Sequence, residues 1–330
     1  MVAALAVCQA QGAGARSPPT TDRIAVSERL LVSPASESPI DSESAGRPSG
    51  DAPDIRAEAE RLTAAILAAG LSMRLMGGMA IWLTSPSVRE PPFARSYADL
   101  DFAAASVDRK RIVPFFVEEG YIAERLFNAI HGAQRLNFAH PSGRWTVDVV
   151  YDQLRMSHRI DLRGRLALPG PTIDLADLLL TKLQIWEINE KDLRDSACLL
   201  ADHPLGDGTE TVEPGAIDIE RILALVTSDW GLCHTVERNL ERLASHPGGW
   251  RVRGAAPPAD QARALLERIS AAPKSLSWRT RARVGERVRW YETPEEVRHE
   301  ALNGDAPTLT EVPVPAGTRA PGDAGDSSET

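Results

Sequence analysis

Residues 73–83 read MRLMGGMAIWL and residues 97–103 read YADLDFA. An apolar run from Met73 to Met76 stops at Gly77-Gly78, and a second run, Met79 to Leu83, follows at once. This pattern predicts a strand, a tight turn and the start of a helix, because glycine turns the chain without steric cost. A polar, proline-rich loop covers Thr84 to Ala98, after which the alternation in Asp99-Leu100-Asp101-Phe102-Ala103 predicts a second strand. Its aspartates are two residues apart, so the pleat sends both carboxylates to one face. At about 4 Å in an effective dielectric of about 20, two carboxylates repel by about 4 kcal/mol, a cost that a divalent cation reverses.

Upstream, Ile55, Ala59, Leu62, Ile66 and Leu67 recur at helical spacing between Asp54 and Ala69, and Gly70 closes the helix. Downstream, Arg109 to Glu119 suits a helix. Ala133 to Ala139 and Arg144 to Tyr151 then flank the turn Pro141-Ser142-Gly143 and predict an antiparallel hairpin. In its second strand Trp145, Val147 and Val149 face one way, and Thr146, Asp148 and Val150 the other. Asp148 stands among valines, where a lone carboxylate is expensive to bury. Two partners suit it: a cation shared with Asp99 and Asp101, for which Mg²⁺ fits the oxygen donors, or an arginine such as Arg135 or Arg144.

From Asp174 the pattern turns helical, with segments at 174–188, 191–201, 217–227, 232–244, 259–271 and 294–301. The fold class expected is therefore α+β: a small mixed β-sheet core with helices over 51–170, followed by a helical region over 171–303. Residues 10–50 and 304–330 are rich in Gly, Pro, Ser, Ala and acidic residues, and the segments 1–50 and 304–330 are expected to be disordered.

The chain of 330 residues carries a formal net charge of −9, which argues against a uniformly basic nucleic-acid surface. Cys8, Cys198 and Cys233 are too few and too scattered for a zinc motif or a disulfide framework. His131, His140 and His158 lack metal-ligand spacing. The apolar Met1 to Val7 lacks a basic flank, and no run approaches the roughly 20 apolar residues of a membrane span. A cytoplasmic protein without membrane contact is the expectation.

Two further features bear on chemistry. Gly77 and Gly78, lacking β-carbons, let a phosphate approach backbone N–H groups at a helix N-terminus. Lys182 falls near the middle of the apolar arc formed by Leu175, Leu178, Leu179, Leu183, Ile185 and Trp186. It either snorkels to water along its stem or reaches inward to neutralise an anion. Lys191, Asp192 and Asp195 begin the next helix and read equally as a capping and ion-pair cluster.

Gly77-Gly78, a short helix, Asp99-x-Asp101 and a later strand carrying Asp148 together resemble the DNA polymerase β-type nucleotidyltransferase superfamily. Within it, the chain is most similar to the AbiEii-type toxin nucleotidyltransferases. Arg95 stands four residues before Asp99, and Lys182 precedes Lys191-Asp192-Leu193-Arg194-Asp195, as in their motifs. The resemblance covers about residues 54–202. Met79 stands where the family has Ser or Thr, and Tyr97 where it has Ser.

The resemblance implies a nucleotidyltransferase in which Asp99, Asp101 and Asp148 hold Mg²⁺ against a nucleoside triphosphate. Gly77, Gly78, Arg95 and Lys182 would bind its phosphates. RNA is a candidate acceptor and an antitoxin protein a candidate partner. A catalytically silent binding module of the same fold and a small-molecule, aminoglycoside-like nucleotidyltransferase are the alternatives. For RNA, Lys274, Arg279, Arg281, Arg283, Arg287 and Arg289 form a basic cluster interleaved with Trp278 and Trp290, which are expected to be available for stacking. A solvated basic helix, or a partner for the acidic tail, is the other reading of that cluster.

Overall fold

Gly77 adopts φ +67°, the left-handed conformation that lets strand β1 (Met73–Met76) run directly into helix α2 (Gly77–Thr84). The expected strand, turn and helix are therefore present. The computed structural model describes residues 54–206, 214–248, 250 and 257–293. The expected helix at 294–301 and the terminal segments 1–50 and 304–330 lie outside these residues.

Helix α1 (Ile55–Ala68) is capped by the Asp54 side chain and buries Ala59, Leu62 and Ile66. After α2 come strand β2 (Asp99–Ala104), helix α3 (Arg109–Glu118), the short strand β3 (Ile122–Ala123), helix α4 (Arg125–His131), and strands β4 (Arg135–Ala139) and β5 (Thr146–Tyr151). These strands form one mixed sheet in the order β1-β2-β5-β4-β3. Strand β2 runs antiparallel to β1 and parallel to β5, while β4 and β5 form the expected hairpin. Strands β6 (Gln153–Arg155) and β7 (Arg159–Asp161) make a separate small ribbon.

Helices α5 (Leu175–Leu183), α6 (Glu190–Asp202), α7 (Ile219–Val226), α8 (Trp230–Ala244), α9 (Pro258–Ala271) and α10 (Leu276–Val284) complete the described chain. One hydrophobic cluster runs from Ala59 on α1 to Ile269 on α9, so the helical region shares its core with the sheet. The fold is α+β with a mixed sheet of five strands. Among the described residues no helix is long and apolar enough to cross a membrane.

Two expectations are corrected. The helix drawn over 174–188 ends at Leu183, because Asn239 of α8 donates its amide to the carbonyls of Leu183 (2.9 Å) and Ile185 (2.8 Å) and draws the chain out of the helical path. Between α3 and the hairpin stand β3 and α4, which the apolar pattern does not reveal. Helix α4 buries none of its side chains and is fastened by Asn128, which exchanges hydrogen bonds with the backbone of Asn137.

Candidate active site

Parallel pairing of β2 with β5 sets Asp101 opposite Asp148 and Asp99 opposite Thr146. The row continues outward, Met76 lying opposite Asp101 on one side and Asn137 opposite Asp148 on the other. Sheet register thus sets Asp101 and Asp148 side by side on neighbouring strands, an adjacency that the sequence pattern leaves open. Asp99, at the start of β2, is exposed.

Their electrostatic surroundings differ. Asp148 is 7% exposed, and the fork of Arg135 holds it through Nε to Oδ1 (2.5 Å) and a terminal nitrogen to Oδ2 (2.6 Å). The Asn137 amide adds a longer bond to Oδ2, at 3.3 Å. Of the two arginines named for this role, Arg135 fills it. Asp101 has no hydrogen-bond or ion-pair partner among the described residues. Burial, reinforced by the charges of Asp99 and Asp148, pushes its carboxyl up to about 7 against the pull of Lys182 and Arg135. Among the described residues no three His, Cys, Asp or Glu side chains stand together as a ready-made metal cluster. Asp99 and Asp101 are nevertheless carboxylates of the kind a hard cation takes, whereas Arg135 competes with one for Asp148.

A cavity of about 1000 Å³ opens over this row. Gly77, Asp101, Asp148, Lys182, Arg135 and Lys191 are among its lining residues, while Gly78, Arg95 and Asp99 are not. The two glycines have distinct reasons to be glycine. A β-carbon on Gly77 would collide with the Asp101 carboxylate, and one on Gly78 with the Arg95 guanidinium and the Tyr97 ring. The close approach that glycine permits is thus already made by protein side chains.

Lys182 is 8% exposed and does not snorkel to water. Its ammonium bridges to Asp192 of α6 at 2.8 Å and to Asp195 at 3.1 Å. Burial alone would lower its proton affinity, but the two carboxylates outweigh that and raise it. Arg95 also reaches Asp195, through two bonds of 3.0 and 2.9 Å, and lies over Tyr97. Burial works to raise the Asp195 carboxyl, yet Lys182 and Arg95 together bring it below the ordinary range. Lys182, Arg95, Asp192 and Asp195 thus form one ion-pair network, which takes in the two aspartates of the cluster expected at the start of α6 but not the exposed Lys191.

The tryptophans expected to stack on RNA are otherwise engaged. Trp290 packs among Trp186 (4.6 Å between ring centres), His234 (5.1 Å) and Trp230 (5.7 Å), and its Nε1 bonds Thr235. Trp278 is half-buried against the core. Arg281 donates to the carbonyls of Gly285 and Val288 and covers Trp230, whereas Arg279, Arg283 and Arg287 remain exposed. The chain after α10 folds back onto α8 and carries Trp290 into the aromatic cluster.

Cavity residues that sequence reasoning did not single out are Phe127 and Ile130 on α4, Asp152 and Arg155 near the ribbon, and Glu292 and Thr293 at the end of the described chain. A signal existed for Asn137: Arg135 and Asn137 alternate with Leu136 and Phe138, which marks a polar face on β4. None exists for Glu292, whose backbone N–H bonds the Ser157 carbonyl and whose carboxylate pairs with Arg159. No protein-family model matches this sequence, and no curated protein matches it.

Proposed function

We propose that the chain is a Mg²⁺-dependent nucleotidyltransferase of the polymerase β type, moving a nucleotide from a nucleoside triphosphate to an acceptor hydroxyl. The observation that carries this reading is the pair Asp101 and Asp148, opposed on adjacent strands and sharing one cavity with Gly77 and Lys182. An unpaired carboxylate, Asp101, beside a second one and a helix start is what a metal-bound triphosphate would complement. Asp99 and Asp101 would hold the ion, and Asp148 would complete the set when the fork of Arg135 opens. The bound ion supplies charge neutralisation and Lewis-acid polarisation of phosphate.

The chain's own groups supply the rest. Helix α2 begins without a side-chain cap, so its first N–H groups suit phosphate oxygens. The exposed Lys191 brings positive charge to the same cavity, and Lys182 would turn to phosphate only by leaving Asp192 and Asp195. In the transfer, the acceptor oxygen bonds to the α-phosphorus, and the bond from that phosphorus to its bridging oxygen breaks. Pyrophosphate departs with the electron pair, and the hydroxyl proton passes to a carboxylate of the Asp101–Asp148 row. RNA is the acceptor class we favour, in a toxin held in check by an antitoxin.

The bidentate hold of Arg135 on Asp148 favours a second reading, a nucleotide-binding module that performs no transfer. The test is incubation of the purified chain with each α-labelled nucleoside triphosphate, Mg²⁺ and total cellular RNA. The proposal expects label in RNA, abolished by EDTA and by Asp101→Asn. Nucleotide binding without release of pyrophosphate establishes the second reading, and label on an added aminoglycoside alone moves the acceptor to a small molecule. Absence of both binding and transfer overturns both readings.

A further inference from the structure

At the opposite end of α2 from Gly77, Trp82 is half-buried beneath two arginines from different elements. The guanidinium of Arg89, on the 3₁₀ turn Pro86–Arg89, lies 5.0 Å from the ring centre, and that of Arg56, in the first turn of α1, lies 5.8 Å from it. With Val88, Ala94 and Arg95 these residues line a pocket of about 290 Å³. Among the described residues no acidic side chain lines it. Arg95 is neutralised by Asp195, but among the described residues the guanidiniums of Arg56 and Arg89 have no hydrogen-bond or ion-pair partner.

Two like charges gathered at one indole repel each other, and the ring quadrupole offsets only part of that repulsion. In a chain of net charge −9, a pocket whose charged lining residues, among those described, are all arginines is a local inversion of sign. Arginine forks match phosphate oxygens in pairs, and the volume is close to the lower bound of small-ligand sites, about 300 Å³. Because the indole is already partnered by the guanidiniums, the feature recognised is the ligand's charge and not a stacked ring.

We propose that this pocket is a second anion-binding site, separate from the cavity over Asp101, that takes a small phosphate-bearing ligand between Arg56 and Arg89. The two sites are divided by Asp195, which pairs with Arg95 on one side and Lys182 on the other. The inference does not depend on nucleotidyl transfer.

The experiment is titration of the full chain with sodium pyrophosphate in metal-free buffer, followed by calorimetry and by the assigned Trp82 indole N–H resonance. AMP serves as the nucleotide-borne source of phosphate and sodium sulfate as the control anion. Wild type should bind pyrophosphate with a shift of the Trp82 signal. Arg56→Gln/Arg89→Gln should weaken that binding about tenfold or more, and Arg56→Lys/Arg89→Lys should restore part of it. Both arginines are exposed, so neither double variant should disturb the fold. A response to AMP equal to that with pyrophosphate identifies a nucleotide phosphate as a competent source, and a response to pyrophosphate alone identifies the free anion. A Trp82 resonance unmoved at saturating pyrophosphate, an equal response to sulfate, or an affinity unchanged in the Gln double variant overturns the proposal.

Discussion

Asp148 and Asp101 are neighbours in register yet face opposite problems, one held by an arginine and the other without a counter-charge. Arg135→Met should leave Asp148 a nearly buried carboxylate with only the Asn137 amide for company. Breaking a buried ion pair costs about 3–5 kcal/mol, and the partial exposure of Arg135 reduces that here to about 2–3 kcal/mol. Chemical denaturation measures the loss. If Mg²⁺ binds this row, adding it should restore more stability to the variant than it adds to wild type, through ligand linkage. Equal Mg²⁺ effects on the two proteins would count against the metal site.

Asp101 gives the pH dependence. Its folded value of about 7 lies above the ordinary carboxylate range, so the stabilisation linked to its proton is fully present below about pH 4 and is lost as pH rises through 7. Asp101→Asn should therefore gain stability relative to wild type as pH climbs from about 4 to about 8 in metal-free buffer. Thermal unfolding across that range checks it, and a constant difference would contradict it. The valines around Asp148 make its need for a partner legible in sequence, but two arginines qualify equally. Only strand register, which carries Arg135 beside Asp148, separates them.

Helices α5 and α6 show how far periodicity reads and where it stops. The apolar arc that marks α5 continues past Leu183 to Ile185 and Trp186, so no local pattern announces the break. It is imposed by Asn239, 56 residues further along the chain. The start of α6, by contrast, is written locally: Asn189 accepts from the Asp192 N–H and caps it. Lys182 joins the two helices through Asp192 and Asp195. Its central place in the arc is legible, but its partners on α6 set its direction. Lys182→Met should destabilise the fold by about 3 kcal/mol or more, since Asp192 loses its only ion-pair partner among the described residues and Asp195 keeps only Arg95. Adding Asp192→Asn should recover part of that loss, as a double-mutant cycle would show. Additive losses would mean that the ammonium and Asp192 do not support each other.

Across the whole molecule, the sheet and the later helices share one core, and the far end of the described chain returns to the site where Glu292 and Thr293 line the cavity. The α+β class follows from the order of periodic segments, but this return does not. It depends on aromatic packing of Trp290 against Trp186 and Trp230, between residues far apart in sequence. The same packing sorts the basic segment into two groups. Arg281 is an internal support, so Arg281→Glu should destabilise the molecule whatever it binds. Arg283 and Arg287 are exposed and have no acidic partner among the described residues, so reversing them tests the RNA reading without disturbing the fold. If RNA lies along this face as acceptor, Arg283→Glu/Arg287→Glu should weaken RNA modification. The dependence of log affinity on log salt should become shallower by about 0.7 for each single-strand phosphate that the variant no longer neutralises. Nucleotide binding at the cavity should be unchanged, because neither arginine lines it. The measurement is a transfer and RNA-binding assay over a salt series for wild type, the double variant and Arg281→Glu. Identical salt slopes in wild type and the double variant would remove this face from acceptor binding and leave the basic segment to solvent.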